Sequence, residues 1–301
     1  MSLNEKLATY ITEFFQTSEL NLFPGQYGGA RVFADPSVGV ARGDDPVFQK
    51  FKEVVYRKHM TPAEVWIENS LPDKPDLAAG LRVLSILFPF VDRIREEGAR
   101  NTEHMPPELY CLARNLATAF MEAVLGETVA LLEREGHRAM AGPGGCSHMI
   151  VSRGELFEIQ SRWSERHVAY AAGLGTFSLN EALITEKGCN IRVASVITDA
   201  PLEITPRTCT DPFSNCIYLS EGACGRCVDK CPARAITKEG HDKRKCLDYS
   251  RKVEREMRSR PVGRLLKAYA LRINEEDIPF YSVGCGMCQF DTPCSDKNPM
   301  A

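Results

Sequence analysis

Apolar residues at the start of the chain recur at helical spacing. Leu3, Leu7, Ile11 and Phe14 form one stripe, with Glu5 and Glu13 beside it, which predicts a helix over residues 2–16. From Gly25 to Gly43, glycines and Pro36 break any period and predict mostly loop. Asp45-Pro46 opens a helix with proline at its first position and a buried stripe of Val47, Phe51, Val54 and Val55. Thr61-Pro62-Ala63-Glu64 has the form of a capping box. Leu81 to Phe90 reads as a strand. The apolar run around Val83 to Val91 is broken by Ser85 and Pro89, well short of the ~18 residues of a membrane span. Pro106-Pro107 precedes a long helix to Glu135, with Leu112, Leu116, Phe120, Val124 and Leu131 among its apolar residues, and Gly136 ends it. Gly142 to Gly145 is a loop. Ser164 to Ala172 is helical and leads into Gly173-Leu174-Gly175; Ile191 to Asp199 is a buried strand. The order is that of a mixed α/β (α+β) protein around one sheet.

Composition narrows this picture. The chain has 301 residues, and a prior of ~150 residues per domain gives two domains. Its 44% hydrophobic content supplies a core without disulfide staples. A net charge of −3, from 37 basic and 40 acidic residues, argues against nucleic acid as an electrostatic partner. The acidic, interrupted N-terminus is unlike a secretory signal, so the expected compartment is cytoplasmic, with no membrane contact and thiols kept reduced. Twelve cysteines then point to metal or redox chemistry. Cys111, Cys146 and Cys189 are scattered and read as core or free residues, while the other nine lie between Cys209 and Cys294. That shift predicts a boundary near Pro201 to Pro206, with domains 1–203 and 204–301.

The densest motif is Cys224-Gly-Arg-Cys227-Val-Asp-Lys-Cys231-Pro232. A bacterial ferredoxin run is C-x2-C-x2-C-x3-C-P. The last three cysteines fit it, and Glu221 stands at the first position. Cys246, Cys285-Gly-Met-Cys288 and Cys294 follow. Two-residue spacing lets neighbouring thiolates converge on one centre, and the cysteine before proline serves the other cluster. One cluster then takes Cys224, Cys227, Cys294 and an upstream cysteine, most simply Cys216, with Cys209 as the alternative. The other takes Cys231, Cys246, Cys285 and Cys288. Eight ligands suit two [4Fe-4S] clusters; four-cysteine zinc is the alternative with the same spacing, and disulfides suit the compartment least.

Ser164 to Ile184 (SERHVAYAAGLGTFSLNEALI), followed by IRVASVITDAPL, resembles the epoxyqueuosine reductase family and, more distantly, the reductive dehalogenases. The family pattern is roughly ER-x-x-A-x-x-AGLG-x-x-GKN-x-LLI, a strand ending in TD-x-PL, and then the two-cluster cysteines. The resemblance covers about residues 80 to 294 and is best from 164. It implies a nitroreductase-like N-terminal domain holding a base-off cobalamin, followed by a bacterial ferredoxin-like two-cluster domain. Electrons from ferredoxin or flavodoxin would pass through the clusters to cobalt and reduce an unknown small-molecule substrate. The other readings are a non-catalytic electron-transfer protein that reduces a partner such as a corrinoid protein, and a flavin reductase with FMN.

The resemblance marks Gly173, Leu174, Gly175 and Asn180 as cofactor-binding, and His167 and Tyr170 as candidates for cofactor contact or proton transfer. The family's catalytic aspartate lies in a segment resembling LGRDYH. Its nearest match, Leu112-Ala113-Arg114-Asn115, puts Asn115 where an acid would donate the proton, a role an amide cannot fill. Leu179 replaces the family's lysine. The chain stops at Ala301, without the helical-repeat tail of the tRNA-acting enzymes, and two all-cysteine clusters would add about −2 each. Both features move the expectation away from tRNA. The basic run Lys243-Arg244-Lys245 is a solvated face or a docking point for an acidic electron donor, with His241 beside the cluster.

Overall fold

A computed structural model describes residues 1–69, 76–102, 104–144, 148–153, 156–273 and 276–301. Cys146, expected to be a core or free thiol, lies outside them. The first stripe folds as α1 (Leu3–Thr17). Ser2 caps it by accepting the Glu5 N–H, and the Glu5 carboxylate accepts the Ser2 N–H in return. β1 (Ser37–Arg42) follows, then α2 (Val47–Val54), α3 (Pro62–Glu68) and α4 (Leu77–Gly80). Thr61 and Glu64 close the capping box of α3 as expected. Next come β2 (Arg82–Pro89), α5 (Asp92–Arg100), α6 (Glu108–Arg134), β3 (Ala139–Ala141), β4 (His148–Arg153), β5 (Leu156–Ser161) and α7 (Glu165–Ala171). β6 (Thr176–Phe177), β7 (Leu183–Ile184) and β8 (Ile191–Thr198) complete the front part. The tail holds α8 (Ile217–Glu221), α9 (Arg226–Asp229), β9 (Ile236–Thr237), β10 (Gly240–His241), α10 (Lys243–Ser259), β11 (Tyr269–Ile273) and β12 (Glu276–Phe280).

The central sheet has the order β1-β2-β8-β3, antiparallel throughout. Side chains alternate across it. Leu84, Ile86 and Phe88 of β2 join α1 and α6 in one core, where Phe15, Phe33, Phe88 and Phe120 pack ring against ring. Val83 and Leu87 face the other way, onto α2, α3 and α7 with Phe48, Trp66 and Trp163. β1 corrects the loop expected from Gly25 to Gly43. Gly39 is a strand residue there because a Cβ would lie 2.5 Å from the Ala172 carbonyl oxygen.

The longest apolar element is α6 rather than the strand at Val83 to Val91. Its 27 residues and best-window mean hydropathy of 1.3 are enough, by length and composition alone, to cross a membrane. Interspersed polar residues such as Arg114, Asn115 and Glu122 hide this in the sequence. The helix instead anchors the core, with Leu109, Leu112, Phe120 and Leu132 buried.

Residues from both sides of position 203 pack and pair together. Val253 and Met257 of α10, with Val262, Val283 and Phe290, belong to the same core as α6. A second sheet has the order β12-β11-β4-β5, in which β11 runs parallel to β4 through Arg272↔Met149 and Ile273↔Ile150. Strand pairing and core both run across residue 203.

Candidate functional site

The tail carries its cysteines on short turns. Cys224 adopts φ 75°, a left-handed conformation that non-glycine residues rarely take, and Gly225 follows at φ 109°. Cys216 is the N-cap of α8, Cys227 lies within α9, and Cys246 is in the first turn of α10. Cys285 sits between Gly284 (φ 59°) and Gly286 (φ 65°). Both glycines are required sterically, since a Cβ on Gly284 would lie 2.8 Å from the Arg114 guanidinium and one on Gly286 would strike the Tyr110 hydroxyl. The loop is thereby laid against α6.

The thiols gather in two adjoining groups. Cys216, Cys224, Cys227 and Cys294 line one small cavity with Ser178 and Asn180. Burial pushes Cys227 up to about 12, with Cys294, Cys216 and Cys224 adding to the shift. Cys285 is likewise pushed up to about 12 by burial, with Cys246 and Cys231 nearby. Burial, then Cys285, Cys246 and Cys231, raises Cys288, and Cys227 of the first group reaches it as well. Cys209 stands elsewhere; its charge acts on Tyr170. Each group has a further thiol behind it. The Cys189 sulfur is 3.9 Å from that of Cys294, and Cys111 lies near Cys285. Among the described residues, no three His, Cys, Asp or Glu side chains meet tightly enough for a single metal ion. Burial keeps Cys227, Cys285 and Cys288 protonated when free, whereas the Cys189 thiol, hydrogen-bonded to Cys294, lowers Cys294 to about 7.

Several expected cofactor residues are committed to protein contacts. Gly173 (φ 74°) is pressed on by the Pro206 carbonyl oxygen, 2.8 Å from a Cβ placed there, and a Cβ on Gly175 would collide with the Ile184 carbonyl. Leu174 packs against Gly39. Asn180 donates to the Cys288 carbonyl oxygen (2.9 Å) and accepts from the Ala182 N–H (3.1 Å), so it holds the Cys288 turn. Tyr170 lies under Arg207, whose guanidinium is 5.4 Å from the ring and paired with Asp45.

Asn115 is fully buried and pairs with the backbone of Lys267: its side chain donates to the carbonyl oxygen and accepts the N–H, both at 2.8 Å. Asn115→Asp would set a carboxylate against that carbonyl. The expected outcome is a loss of about 1–3 kcal/mol, read as a lower urea midpoint, with no proton donor gained.

His167 and Glu165 share α7. His167 Nδ1 is 2.8 Å from Ser164 Oγ, and Phe51 and Phe177 flank the ring. Burial, with Arg166 nearby, pulls His167 down to about 3, so the imidazole is neutral at physiological pH. Glu165 was not singled out by its sequence context. Both carboxyl oxygens are shielded from solvent beside Trp163 and Ser195, whose side chains are themselves joined by a hydrogen bond from the Trp163 N–H to Ser195 Oγ (3.0 Å). Burial raises Glu165 to about 8, which Ser195 and Trp163 offset only in part.

A cleft of about 610 Å³ lies beside the second thiol group, lined by Val55, Tyr56, Gln160, His241 and Lys243. A wider groove of about 960 Å³ runs past Cys224; Asp92, Glu96, Asp229, Asp291 and Asp296 outnumber Arg95 and Arg226 along it. The basic run is largely engaged within the fold, Lys243 with Glu181 and Lys245 with Asp242.

No family model matches the chain, and no curated protein matches it in sequence. Solved structures do resemble it. A selenomethionine-labelled epoxyqueuosine reductase aligns over 97% of this chain and 65% of its own, at 17% identity and a TM-score of 0.51, so the two share a fold. This chain therefore spans slightly under two thirds of that protein's length. Epoxyqueuosine reductase from Bacillus subtilis aligns over 98% of this chain and 66% of its own (17% identity, TM-score 0.46). The catabolic reductive dehalogenase NpRdhA, in complex with 3-bromo-4-hydroxybenzoic acid, aligns over 98% and 36% (16% identity, TM-score 0.48).

Proposed function

We propose that the chain is an iron–sulfur reductase of the cytosol, with a nitroreductase-like front part and a two-cluster tail. Cys216, Cys224, Cys227 and Cys294 hold one [4Fe-4S] cluster, and Cys231, Cys246, Cys285 and Cys288 hold the other. The observation that carries this reading is the division of eight thiols into two adjoining groups of four, in the ferredoxin pattern. When bound, the clusters relay single electrons and a cobalamin in the front part supplies reducing power at cobalt.

The chain's own residues frame this chemistry. Cys224 is exposed at the wide groove, where an electron donor would approach. The acidic balance of that groove favours a donor with basic residues on its docking face. His241 is held between Cys246 and Glu181, linking the second thiol group to the cleft. Neutral His167 and protonated Glu165 leave α7 without net side-chain charge from either group near neutral pH.

Anaerobically prepared protein is expected to contain about eight irons per chain and to absorb broadly near roughly 400 nm. It should retain cobalamin on gel filtration. Roughly four irons would remove the second cluster from this reading. A full iron complement with bound flavin and no retained cobalamin would replace the corrinoid with FMN.

A further inference from the structure

Cys189 stands just before β8, and its neighbours in the chain are fixed against the loop that carries Cys294. Gly188 has φ 76°, and a Cβ there would lie 2.5 Å from the backbone of Ser295 and Asp296, so glycine lets the two segments touch. The Cys189 N–H donates to the Cys294 carbonyl oxygen (2.8 Å). The Asn190 side chain donates to the Gln289 carbonyl oxygen (2.6 Å), and the Asn190 N–H reaches the Ser295 carbonyl oxygen at 3.4 Å. Cys189 is 2% exposed. Clamped in this way, its sulfur lies 3.9 Å from the Cys294 sulfur, a hydrogen-bond distance for two sulfurs with Cys189 as donor.

A second donor meets the same sulfur. Thr292 Oγ1 is 3.3 Å from Cys294 Sγ. Ser295 Oγ lies 3.0 Å from Thr292 Oγ1, accepts the Thr292 N–H (3.0 Å) and donates to the Gln289 carbonyl oxygen (2.8 Å). Its own proton is thus committed, and the Thr292 hydroxyl supplies a proton either to Ser295 Oγ or to the sulfur. A charged sulfur is the stronger acceptor. Thr292 is buried as well, so water competes little with either donor. Cys189 also packs with Leu179, Ala182 and Ile184, a setting that any small apolar residue would suit. What the thiol adds is a proton beside a ligand sulfur. An S–H is a weak donor to a neutral group, but a cluster-bound thiolate carries charge.

We infer that Cys189 is a positioning residue of the first cluster: without binding iron, its S–H, together with the Thr292 O–H, hydrogen-bonds the Cys294 sulfur and raises that cluster's reduction potential. The inference rests on the two-cluster reading and gives a further cysteine a separate role in it. Reduction brings one electron from the donor at the groove, and its charge spreads onto the cysteine sulfurs. A hydrogen bond to one of them stabilises the reduced state more than the oxidised state. Hydrogen bonds to sulfur are among the factors that set cluster potentials, and a buried setting strengthens them. No proton changes place in this step.

The test uses the anaerobic, iron-loaded full chain as wild type, Cys189→Ala, Cys189→Ser and Thr292→Val, each first checked for iron content. Potentiometric titration followed by electron paramagnetic resonance reads the two midpoint potentials. In Cys189→Ala one potential is expected to become more negative, by about threefold to tenfold in the reduction equilibrium, tenfold being ~59 mV for one electron. The other potential holds. Thr292→Val is expected to move the same potential in the same direction. Cys189→Ser keeps a donor and restores the potential in whole or in part, whereas a role in packing alone would make alanine the milder change. Iron falling to about four per chain in Cys189→Ala overturns the inference, because Cys189 is then a ligand. Full iron with both potentials unmoved overturns it as well, leaving Cys189 a core residue. Wild type with little iron overturns the cluster reading and the inference together, which sets that failure apart from the other two.

Discussion

Cys216→Ala is expected to lower the iron content of anaerobically prepared protein from about eight to about four per chain, while Cys209→Ala leaves it at about eight. Sequence spacing makes Cys216 the simpler fourth ligand of the first cluster and Cys209 the alternative. Geometry separates them. Cys216 shares a cavity with Cys224, Cys227 and Cys294, whereas Cys209 lies near Tyr170. Cys216 is also buried, so its loss leaves an unfilled coordination position in an apolar wall, beside Leu179 and Ile184. Iron and sulfide analysis, with electron paramagnetic resonance of the dithionite-reduced protein, reads the outcome. Equal iron in the two variants would refute the assignment.

Glu165→Gln should stabilise the protein at pH 8 and flatten its pH dependence. Burial raises Glu165 from 4.5 to about 8. Between those values the folded chain keeps a proton that the unfolded chain releases. The resulting stability is complete below the unfolded pKa and is lost as pH rises through the folded one. For one proton the slope cannot exceed about 1.4 kcal/mol per pH unit. Glutamine keeps the neutral shape and removes the titration. Thermal unfolding at pH 5, 6.5 and 8 should therefore give similar Tm values at pH 5 and a higher value for the variant at pH 8. Parallel curves would show that Glu165 is ionised in the fold.

Local signals were legible where local physics decides. The Thr61–Glu64 capping box and the proline-led start of α6 rest on neighbouring residues, and those helices stand where the signals put them. α2 starts one residue later than expected, with Pro46 as its N-cap, and buries Phe48 and Phe51 while Val54 of the expected stripe is exposed. β1 was not legible, because its pairing with β2 is long-range and Gly39 answers to Ala172, more than a hundred residues away. The cysteine spacings predict metal chemistry with Cys216 as the simpler upstream ligand, and the fold adds that Cys216 rather than Cys209 lies beside Cys224, Cys227 and Cys294. Gly173 and Gly175 looked like an approach for a cofactor, whereas their missing side chains make room for the chain's own carbonyls.

The shared core has a consequence for biogenesis. While the chain emerges from the ribosome, α6 is complete long before Val253, Met257 and Phe290 arrive to cover it. Until then the most membrane-like helix of the protein is bare on one side. Its cover comes from the same stretch that supplies Cys246, Cys285 and Cys288. In the proposed two-cluster reading, cluster loading and the burial of α6 fall in one late interval, so a chain made without iron–sulfur assembly is expected to aggregate more readily than the loaded protein.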